Sequence, residues 1–269
     1  MSNTKLVFNH YSKPVQMLVD SYIMVKRSST HILRNTDQLF GTFFQPIMFL
    51  VLFTAVFSGA VAGSLPQGVD YINFLMAGII VQTVAFSATT TAVAITNDLQ
   101  RGIVDRFKSL PMSNLAVLNG HVISDLFRSS ISVIVIVLAG LVLGFRSSAS
   151  VLDWLMIAGI ILLFTFAVSW LIAIVGVLAK SVEAVNLLTF MLVFPMTFAS
   201  SAFAPTESMT PILKFFAENQ PVTHIVESIR ALMLGLPLDE HGYLAVLWCL
   251  GILVVAMPLA AYLFKKKSV

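Results

Sequence analysis

Charged side chains are scarce in this chain of 269 residues. Only 11% of the residues are Asp, Glu, Lys or Arg, whereas 58% are hydrophobic. So few charges cannot cover the surface of a water-soluble domain of this length. The composition therefore excludes a soluble globular protein and indicates a chain whose main solvent is lipid.

Cysteine and catalytic motifs are nearly absent as well. The single cysteine, Cys249, lies in an apolar run, which excludes an intrachain disulfide and a Cys-rich metal site and favours a small core residue. No Gly-x-Ser-x-Gly or His-Glu-x-x-His motif occurs, so we assign no catalytic residue and no metal ligand. The net charge of +3 is small and its cations are not interleaved with aromatics, so nucleic acid is not an expected partner.

Long apolar runs are what the sequence has instead. Backbone polar groups inside a bilayer must bond within their own segment, so a run of about twenty apolar residues predicts a membrane-spanning helix. Six runs meet or approach this length: residues 40–62, 71–96, 122–144, 154–179, 184–204 and 243–264. The predicted fold is an all-α membrane protein with six transmembrane helices, forming one domain over residues 1–269.

Cationic residues lie mostly on one side of these six spans. That side holds the N-terminal segment, the connection between spans two and three, Lys180 and the three lysines that end the chain. The other side holds Arg146, Lys214 and Arg230. The positive-inside rule therefore predicts that both termini are cytoplasmic. The first apolar run begins too late to be the core of a cleaved signal peptide, so we expect the N-terminus to be retained.

Two segments outside the spans have helical patterns. Residues 14–34 carry apolar side chains at helical spacing, which predicts an amphipathic helix on the inner membrane surface or an ordinary lead-in helix. Residues 205–242 contain two helix-forming pieces bounded by prolines. We predict short outer re-entrant helices there, before the last span.

The inner connection at residues 98–113 concentrates the charges. Ile103, Phe107 and Leu110 share one helical face, and Pro111 ends the helix. Such a helix either offers an apolar ridge to the groove of another protein or lies solvated in a loop.

Three polar residues follow this connection at spacings of four and three. His121, Asp125 and Arg128 lie at the cytoplasmic end of the predicted third span, where Asp125 can pair with either neighbour. We interpret them as an interface latch, with a gating or substrate role as the alternative. No Asp, Glu, Lys or Arg lies in the middle of a predicted span, which disfavours an ion-coupled carrier.

Three separated groups of segments resemble the membrane subunits of type-2 ABC transporters, in particular the daunorubicin-resistance-like permeases of bacteria. The first group is residues 33–40, 45–49 and 56–60, and the second is residues 98–112 with Gly120 and Asp125. The third is residues 195–204, 220–223 and 226–232. Together they cover most of the chain in the right order.

The resemblance implies a permease in the bacterial cytoplasmic membrane that pairs with a second copy or a close paralogue and with two ABC ATPase subunits. ATP and Mg would be bound by the ATPase, with no cofactor in this chain. Residues 14–34 would be the connecting helix, and residues 98–113 the coupling helix that docks into the ATPase. The ATPase-coupling residues would be Asp98, Gln100, Arg101, Gly102, Asp105, Arg106, Phe107, Lys108 and Pro111.

The same resemblance places the walls of a substrate cavity on spans two and five. The residues offered there are Gln82, Phe86, Thr89, Thr90, Phe190, Met191, Phe194 and Thr197. An aromatic and Met-rich wall with a few hydroxyls suits an amphipathic or lipid-like cargo, although ordinary helix packing explains the same residues.

The predicted function is therefore export of a drug-like or lipophilic compound by alternating access, with ATP hydrolysis in a separate partner. Export of a lipid-linked glycan is the alternative within this class. An ion-coupled secondary carrier and a non-transporting membrane scaffold are alternatives from other classes.

Overall fold

The described part of the chain is helical. The computed structural model describes residues 36–61, 63, 65, 69–101 and 114–267, and these ranges contain helices and turns but no strand. The α-helices are α1 Thr36–Val61, α2 Tyr71–Gln100, α3 Asn114–Val142, α4 Val151–Leu178, α5 Val182–Phe198, α6 Pro211–Glu218, α7 Pro221–Met233 and α8 Glu240–Lys267. The all-helical prediction is confirmed for these residues. The predicted connecting helix at residues 14–34 and residues 102–113 of the predicted coupling helix lie outside them.

Each of the six predicted spans coincides with one helix, but the six helices differ in length. Four are long and apolar enough to cross a membrane: Tyr71–Gln100, Val117–Val142, Val151–Leu178 and Glu240–Lys267. The apolar helices Phe44–Gly59 and Val182–Phe198 are shorter. The described residues therefore have the character of a multi-pass membrane protein, and the number six stays a prediction.

Helix α5 ends earlier than its apolar run. The run continues to residue 204, yet the helix ends at Phe198 and the chain turns over the next residues. Pro195 lacks a backbone donor in the last turn, and the Ser200 hydroxyl donates to the Thr197 carbonyl at 2.6 Å while accepting from the Ala202 amide at 3.2 Å. These local hydrogen bonds replace the helical ones, so the predicted bound at residue 204 is wrong.

Helix α2 lies at the centre of the bundle. It packs against α1, α3, α4, α5 and α7, and α4 in turn packs against α8. Two glycines permit the closest approaches, because a Cβ at Gly78 would lie 2.1 Å from the Ala202 carbonyl oxygen and one at Gly176 would lie 2.6 Å from the Ala92 carbonyl oxygen. Small residues at such crossings let helix backbones approach each other, which is a common source of packing energy in membranes.

The bundle has two chemically different ends. The C-terminal ends of α2, α4 and α8 meet at one of them: Gln100 Nε2 donates to the Lys180 carbonyl at 2.7 Å, and Lys267 Nζ donates to the Val177 carbonyl at 2.5 Å. We call this the basic end, since Arg101, Lys180 and the lysines of the last turn of α8 lie there.

The opposite end carries α6 and α7. The two predicted outer helical pieces are confirmed as helices, and each begins with a proline at its first position, where a missing backbone donor costs nothing. Gly235 follows α7 with a φ of 71°, the left-handed conformation that commonly ends a helix. This end therefore has a helical cover that the basic end lacks in the described residues.

Candidate functional site

A groove runs along the surface formed by α1, α2 and α5. Its volume is about 230 Å³. Its lining consists of phenylalanines, carboxamides and one hydroxyl: Gln45, Phe49, Gln82, Phe86, Thr89, Asn186, Phe190, Phe194 and Phe198. None of these nine side chains is ionisable, so the groove offers an apolar surface with neutral hydrogen-bonding groups.

The aromatic side of the groove is a row of phenylalanines spaced four residues apart on α5. The ring centroids of Phe190 and Phe194 are 4.8 Å apart, and those of Phe194 and Phe198 are 4.1 Å apart. Phe86 of α2 faces the same row, with its ring centroid 6.4 Å from that of Phe190. A spacing of four places side chains on one face of a helix, so the row follows directly from the sequence of α5.

The row continues beyond α5 toward the opposite end. Phe203 lies in the turn after α5, and its ring centroid is 4.7 Å from those of both Phe198 and Phe53. Phe53 of α1 stacks in turn on Phe57, at 5.1 Å. Aromatic pairs at these distances contribute about 0.5 to 1.5 kcal/mol each beyond their buried area. A continuous aromatic path therefore leads from the middle of α5 to the end covered by α7.

Five of the eight predicted cavity residues line the groove: Gln82, Phe86, Thr89, Phe190 and Phe194. The other three do not. The Thr90 hydroxyl donates to the Ser87 carbonyl at 2.7 Å, Met191 is 64% exposed, and Thr197 is buried beside a small apolar cavity between α4, α5 and α7.

Four groove residues were missed: Gln45, Phe49, Asn186 and Phe198. Gln45 and Phe49 lie on α1, which was not assigned as a wall. Phe198 continues the four-residue spacing of Phe190 and Phe194, and Asn186 precedes them at the same spacing, so this periodicity was the available signal.

A buried polar network joins α2, α3 and α4. Asp125 of α3 pairs with Arg128, and the Ser169 hydroxyl of α4 donates to its Oδ2 at 2.5 Å. Ser87 of α2 lies 3.3 Å from Asp125 Oδ1 and 2.7 Å from the Ser129 hydroxyl. Arg128 Nη2 also donates to the Ser87 carbonyl at 2.7 Å. We call these five residues the Asp125 network.

The predicted latch divides into two contacts. His121 does not reach Asp125; its Nε2 lies 3.0 Å from Asp98 Oδ2, near the basic end. Asp125 pairs with Arg128 instead, and the two side chains are 0% and 6% exposed. Because α3 begins at Asn114, eight residues before the predicted bound, Asp125 lies about 16 Å along the helix and opposite the middle of α2. The expectation that no charge lies deep within a span is therefore wrong for α3.

The predicted coupling residues are described only at their start. Asp98 is buried and contacts His121, Gln100 donates to the Lys180 carbonyl, and Arg101 is exposed at the basic end. Gly102, Asp105, Arg106, Phe107, Lys108 and Pro111 lie outside the described residues.

Arg230 forms a buried junction at the opposite end that sequence reasoning did not identify. It pairs with Glu227, its Nε donates to the Phe74 carbonyl at 3.1 Å, and its Nη2 donates to the Ser201 carbonyl at 2.6 Å. The guanidinium carbon lies 3.6 Å from the centre of the Phe74 ring. Burial lowers the pKa of Arg230, and the nearby Glu227 carboxylate opposes that shift. Arg230 thereby fixes α7 to α2 and to the turn that follows α5.

Two histidines connect α7 to α8 at the same end. Nδ1 of His224 and Nδ1 of His241 are 2.8 Å apart, so at least one ring must be neutral. Burial and the neighbouring His241 lower the pKa of His224, against smaller opposite effects of Glu240 and Asp239. Within the described ranges, no three His, Cys, Asp or Glu side chains converge as candidate metal ligands.

Comparison with known proteins decides the family. Residues 20–234 match the model of the ABC-2 type transporter family. The chain belongs to this family. The resemblance to the type-2 ABC transporter permeases inferred from the sequence is thus confirmed.

Some curated relatives of this ABC-2 protein are permeases named for drug resistance, and others are named only as putative transport permeases, such as ycf38 of Porphyra purpurea, which is 30% identical over 209 residues covering 77% of this chain and 71% of the relative. The daunorubicin resistance ABC transporter permease protein DrrB1 of Streptomyces coeruleorubidus is 30% identical over 231 residues, which cover 86% of this chain and 81% of the relative. A protein of Mycobacterium tuberculosis, named as a probable doxorubicin resistance ABC transporter permease, is 25% identical over 252 residues, covering 90% of this chain and 87% of the relative. The chain is therefore an ABC transporter permease and a multi-pass membrane protein.

Proposed function

We propose that this permease is the membrane subunit of an ATP-driven exporter that moves an amphipathic, drug-like compound out across a bacterial cytoplasmic membrane. The observation that supports this proposal most directly is the groove between α1, α2 and α5. It combines a phenylalanine row with three carboxamides and a hydroxyl and contains no ionisable side chain. Such a lining accommodates an apolar ring system and hydrogen-bonds its neutral polar groups. The names of the daunorubicin and doxorubicin resistance relatives support the same class of cargo.

The energy source in this proposal is an ABC ATPase bound at the basic end. The exposed Arg101, which follows α2, lies at this end, and a cytoplasmic location of the cations at this end agrees with the positive-inside rule. ATP and Mg belong to the ATPase, and this chain contributes the docking segment at residues 98–113. Both termini are then cytoplasmic.

The groove volume supports a second permease copy. Pockets for drug-sized ligands measure about 300 to 1,000 Å³ and bury most of the ligand. The groove of one copy is smaller, at about 230 Å³. The two helices α1 and α5 also expose apolar side chains next to groove residues in sequence, among them Met48, Leu187 and Met191. We propose that a second copy or a close paralogue packs against these exposed side chains and completes the cavity.

The test is ATP-dependent transport by the permease reconstituted with its ATPase. Phe190→Ala and Phe194→Ala each remove a ring from the groove, which lowers apparent cargo affinity about tenfold if each ring contributes about 1.4 kcal/mol to binding. Phe215→Ala is the matched control, because Phe215 is 72% exposed on α6, away from the groove. The cargo panel contains a planar aromatic drug, a lipid-linked glycan and a small hydrophilic solute.

Three outcomes contradict the proposal. Transport without ATP but with an ion gradient identifies an ion-coupled carrier. Transport of the lipid-linked glycan alone identifies the other kind of exporter. Equal losses for Phe190→Ala and the Phe215→Ala control show that the groove does not bind the cargo.

A further inference from the structure

Helices α2 and α3 are connected by polar contacts at two levels. Near the basic end, His121 of α3 contacts Asp98 of α2 at 3.0 Å. The second contact is the Asp125 network at Ser87, eleven residues earlier in α2 and therefore about 16 Å away along the helix axis. Two contacts at separate heights oppose both sliding and rotation of one helix against the other.

The Asp125 network contacts the backbone of α2 as well as its side chains. Arg128 donates to the Ser87 carbonyl, which also accepts from the Thr90 hydroxyl at 2.7 Å. A charged donor on a backbone carbonyl fixes the position of that helical turn, and burial strengthens the interaction because no water competes for it.

Helix α4 belongs to the same unit. The Ser169 hydroxyl donates to Asp125 Oδ2, and the Thr96 hydroxyl of α2 donates to the Gly176 carbonyl at 2.7 Å. The close approach of Gly176 to Ala92 leaves no space for a shift between α2 and α4. Helices α2, α3 and α4 are thus joined through buried hydrogen bonds.

The opposite face of α2 lines the groove. Gln82, Phe86 and Thr89 lie in the turns of α2 around Ser87, whose carbonyl accepts from Arg128. They face the phenylalanine row of α5 across the groove. Along the groove, α2 and α5 meet through ring contacts such as Phe86 to Phe190 at 6.4 Å, whereas Gly78 of α2 packs closely on Ala202 in the turn after α5. This packing permits α2 to tilt against α5 about the Gly78 contact, which would widen or narrow the groove.

We propose that α2, α3 and α4 move as one rigid body held by the Asp125 network, and that the groove changes shape by movement of this body against α5. Arg128 is then a positioning residue: it carries displacement of the end of α2 near Asp98 to the groove wall. This inference rests on the proposed ATP-driven transport.

Two engineered cross-links test the rigid body, both in a Cys249→Ala background. Ser87→Cys with Ser129→Cys allows a disulfide between α2 and α3, where the two hydroxyl oxygens are 2.7 Å apart. Phe86→Cys with Phe190→Cys allows α2 to be joined to α5 across the groove by a short thiol-reactive bifunctional reagent, which can span a wider gap than a disulfide. In vesicles, we expect the disulfide to leave ATP-dependent transport within about twofold of the reduced protein and the reagent link across the groove to abolish transport relative to the same variant before linking.

Arg128→Met tests the role of the network itself. We expect the ATPase rate of the reconstituted complex to stay within about twofold while transport falls about tenfold, the scale on which such network positions change coupling between sites. Adding the Ser87→Cys and Ser129→Cys disulfide should restore transport, because a covalent link replaces the lost one. Arg128→Lys is the conservative control and should retain part of the transport.

The possible failures of the rigid body, the positioning role and the proposed function differ from one another. Loss of transport on oxidising the Ser87→Cys, Ser129→Cys double variant, with Arg128 unchanged, overturns the rigid body, and this arm stands even if Arg128→Met does not assemble. A parallel fall of ATPase and transport in Arg128→Met, without rescue by the disulfide, overturns the positioning role. Absence of any ATP-dependent transport in the Cys249→Ala background, before other changes, is instead a failure of the proposed function.

Discussion

Gly176→Ala should destabilise the protein by forcing α2 and α4 apart. The added Cβ would lie 2.6 Å from the Ala92 carbonyl oxygen and 2.7 Å from the Ala92 Cα, both of them backbone atoms. Ordinary contact begins at 3.4 Å, so the helices must separate by 3.4 − 2.6 = 0.8 Å at this crossing. That movement also stretches the 2.7 Å hydrogen bond from Thr96 to the Gly176 carbonyl.

The expected cost of Gly176→Ala is the balance of two losses and one gain. Overpacking a tight interior contact costs about 1 to 3 kcal/mol. Weakening one buried hydrogen bond adds about 0.5 to 1.5 kcal/mol. Replacing glycine by alanine inside a helix stabilises the helix by roughly 1 kcal/mol, because alanine has the higher helix propensity. We expect a net loss of about 0.5 to 3.5 kcal/mol in the free energy of unfolding.

Gly159→Ala is the matched control on the same helix. No atom lies within 4 Å of a Cβ placed at Gly159, so only the gain in helix propensity remains and stability should be unchanged or higher. The assay is thermal unfolding of the detergent-solubilised protein, followed by the loss of its monodisperse gel-filtration peak. If Gly176→Ala unfolds at the temperature of Gly159→Ala or above it, the close packing of α2 on α4 is wrong.

Two further predictions concern the orientation of the chain in the membrane and the pH dependence of its stability. In intact cells a cysteine at Ser208→Cys should react with a membrane-impermeant maleimide and one at Lys266→Cys should not; the reverse pattern would invert the proposed orientation. For His224, whose pKa is lowered in the folded protein, the unfolded chain binds the proton more readily, so stability is fullest above about pH 6.5 and declines as the pH falls below it. Thermal unfolding at pH 7.5 and 5.5 should show this decline, and it should be smaller in His224→Gln; an equal decline in both would assign it to other groups.

Helix positions were predictable from apolar runs, but helix ends were not. The predicted third span covers residues 122–144, whereas α3 begins at Asn114 and ends at Val142. Polar residues such as Asn119 and His121 interrupt an apolar run but are compatible with a helix, so hydropathy misses the first turns of α3. For α5 the error has the opposite sign, since an apolar run continues through the turn after Phe198. Hydropathy reports the solvent of a segment, whereas local hydrogen bonds decide where its helix ends.

The groove was half predictable for a similar reason. Spacing on α5 identifies Phe190 and Phe194 as neighbours, but only tertiary packing decides that α1 brings Gln45 and Phe49 to the same surface. The partner of His121 shows the same limit. Local spacing offers Asp125, four residues on, whereas the folded chain offers Asp98 from the preceding helix.

The depth of Asp125 changes how the charge pattern bears on mechanism. Spans empty of charge would argue against an ion-coupled carrier, and α3 is not empty. Yet Asp125 is paired with Arg128 and hydrogen-bonded by serines from two other helices, so the pair adds no net charge to the buried interior of the bundle. Breaking such a buried pair costs about 3 to 5 kcal/mol, because one charge is then left uncompensated. A carboxylate held this firmly is suited to joining helices, whereas ion coupling requires a group that is free to bind and release its ion during each cycle.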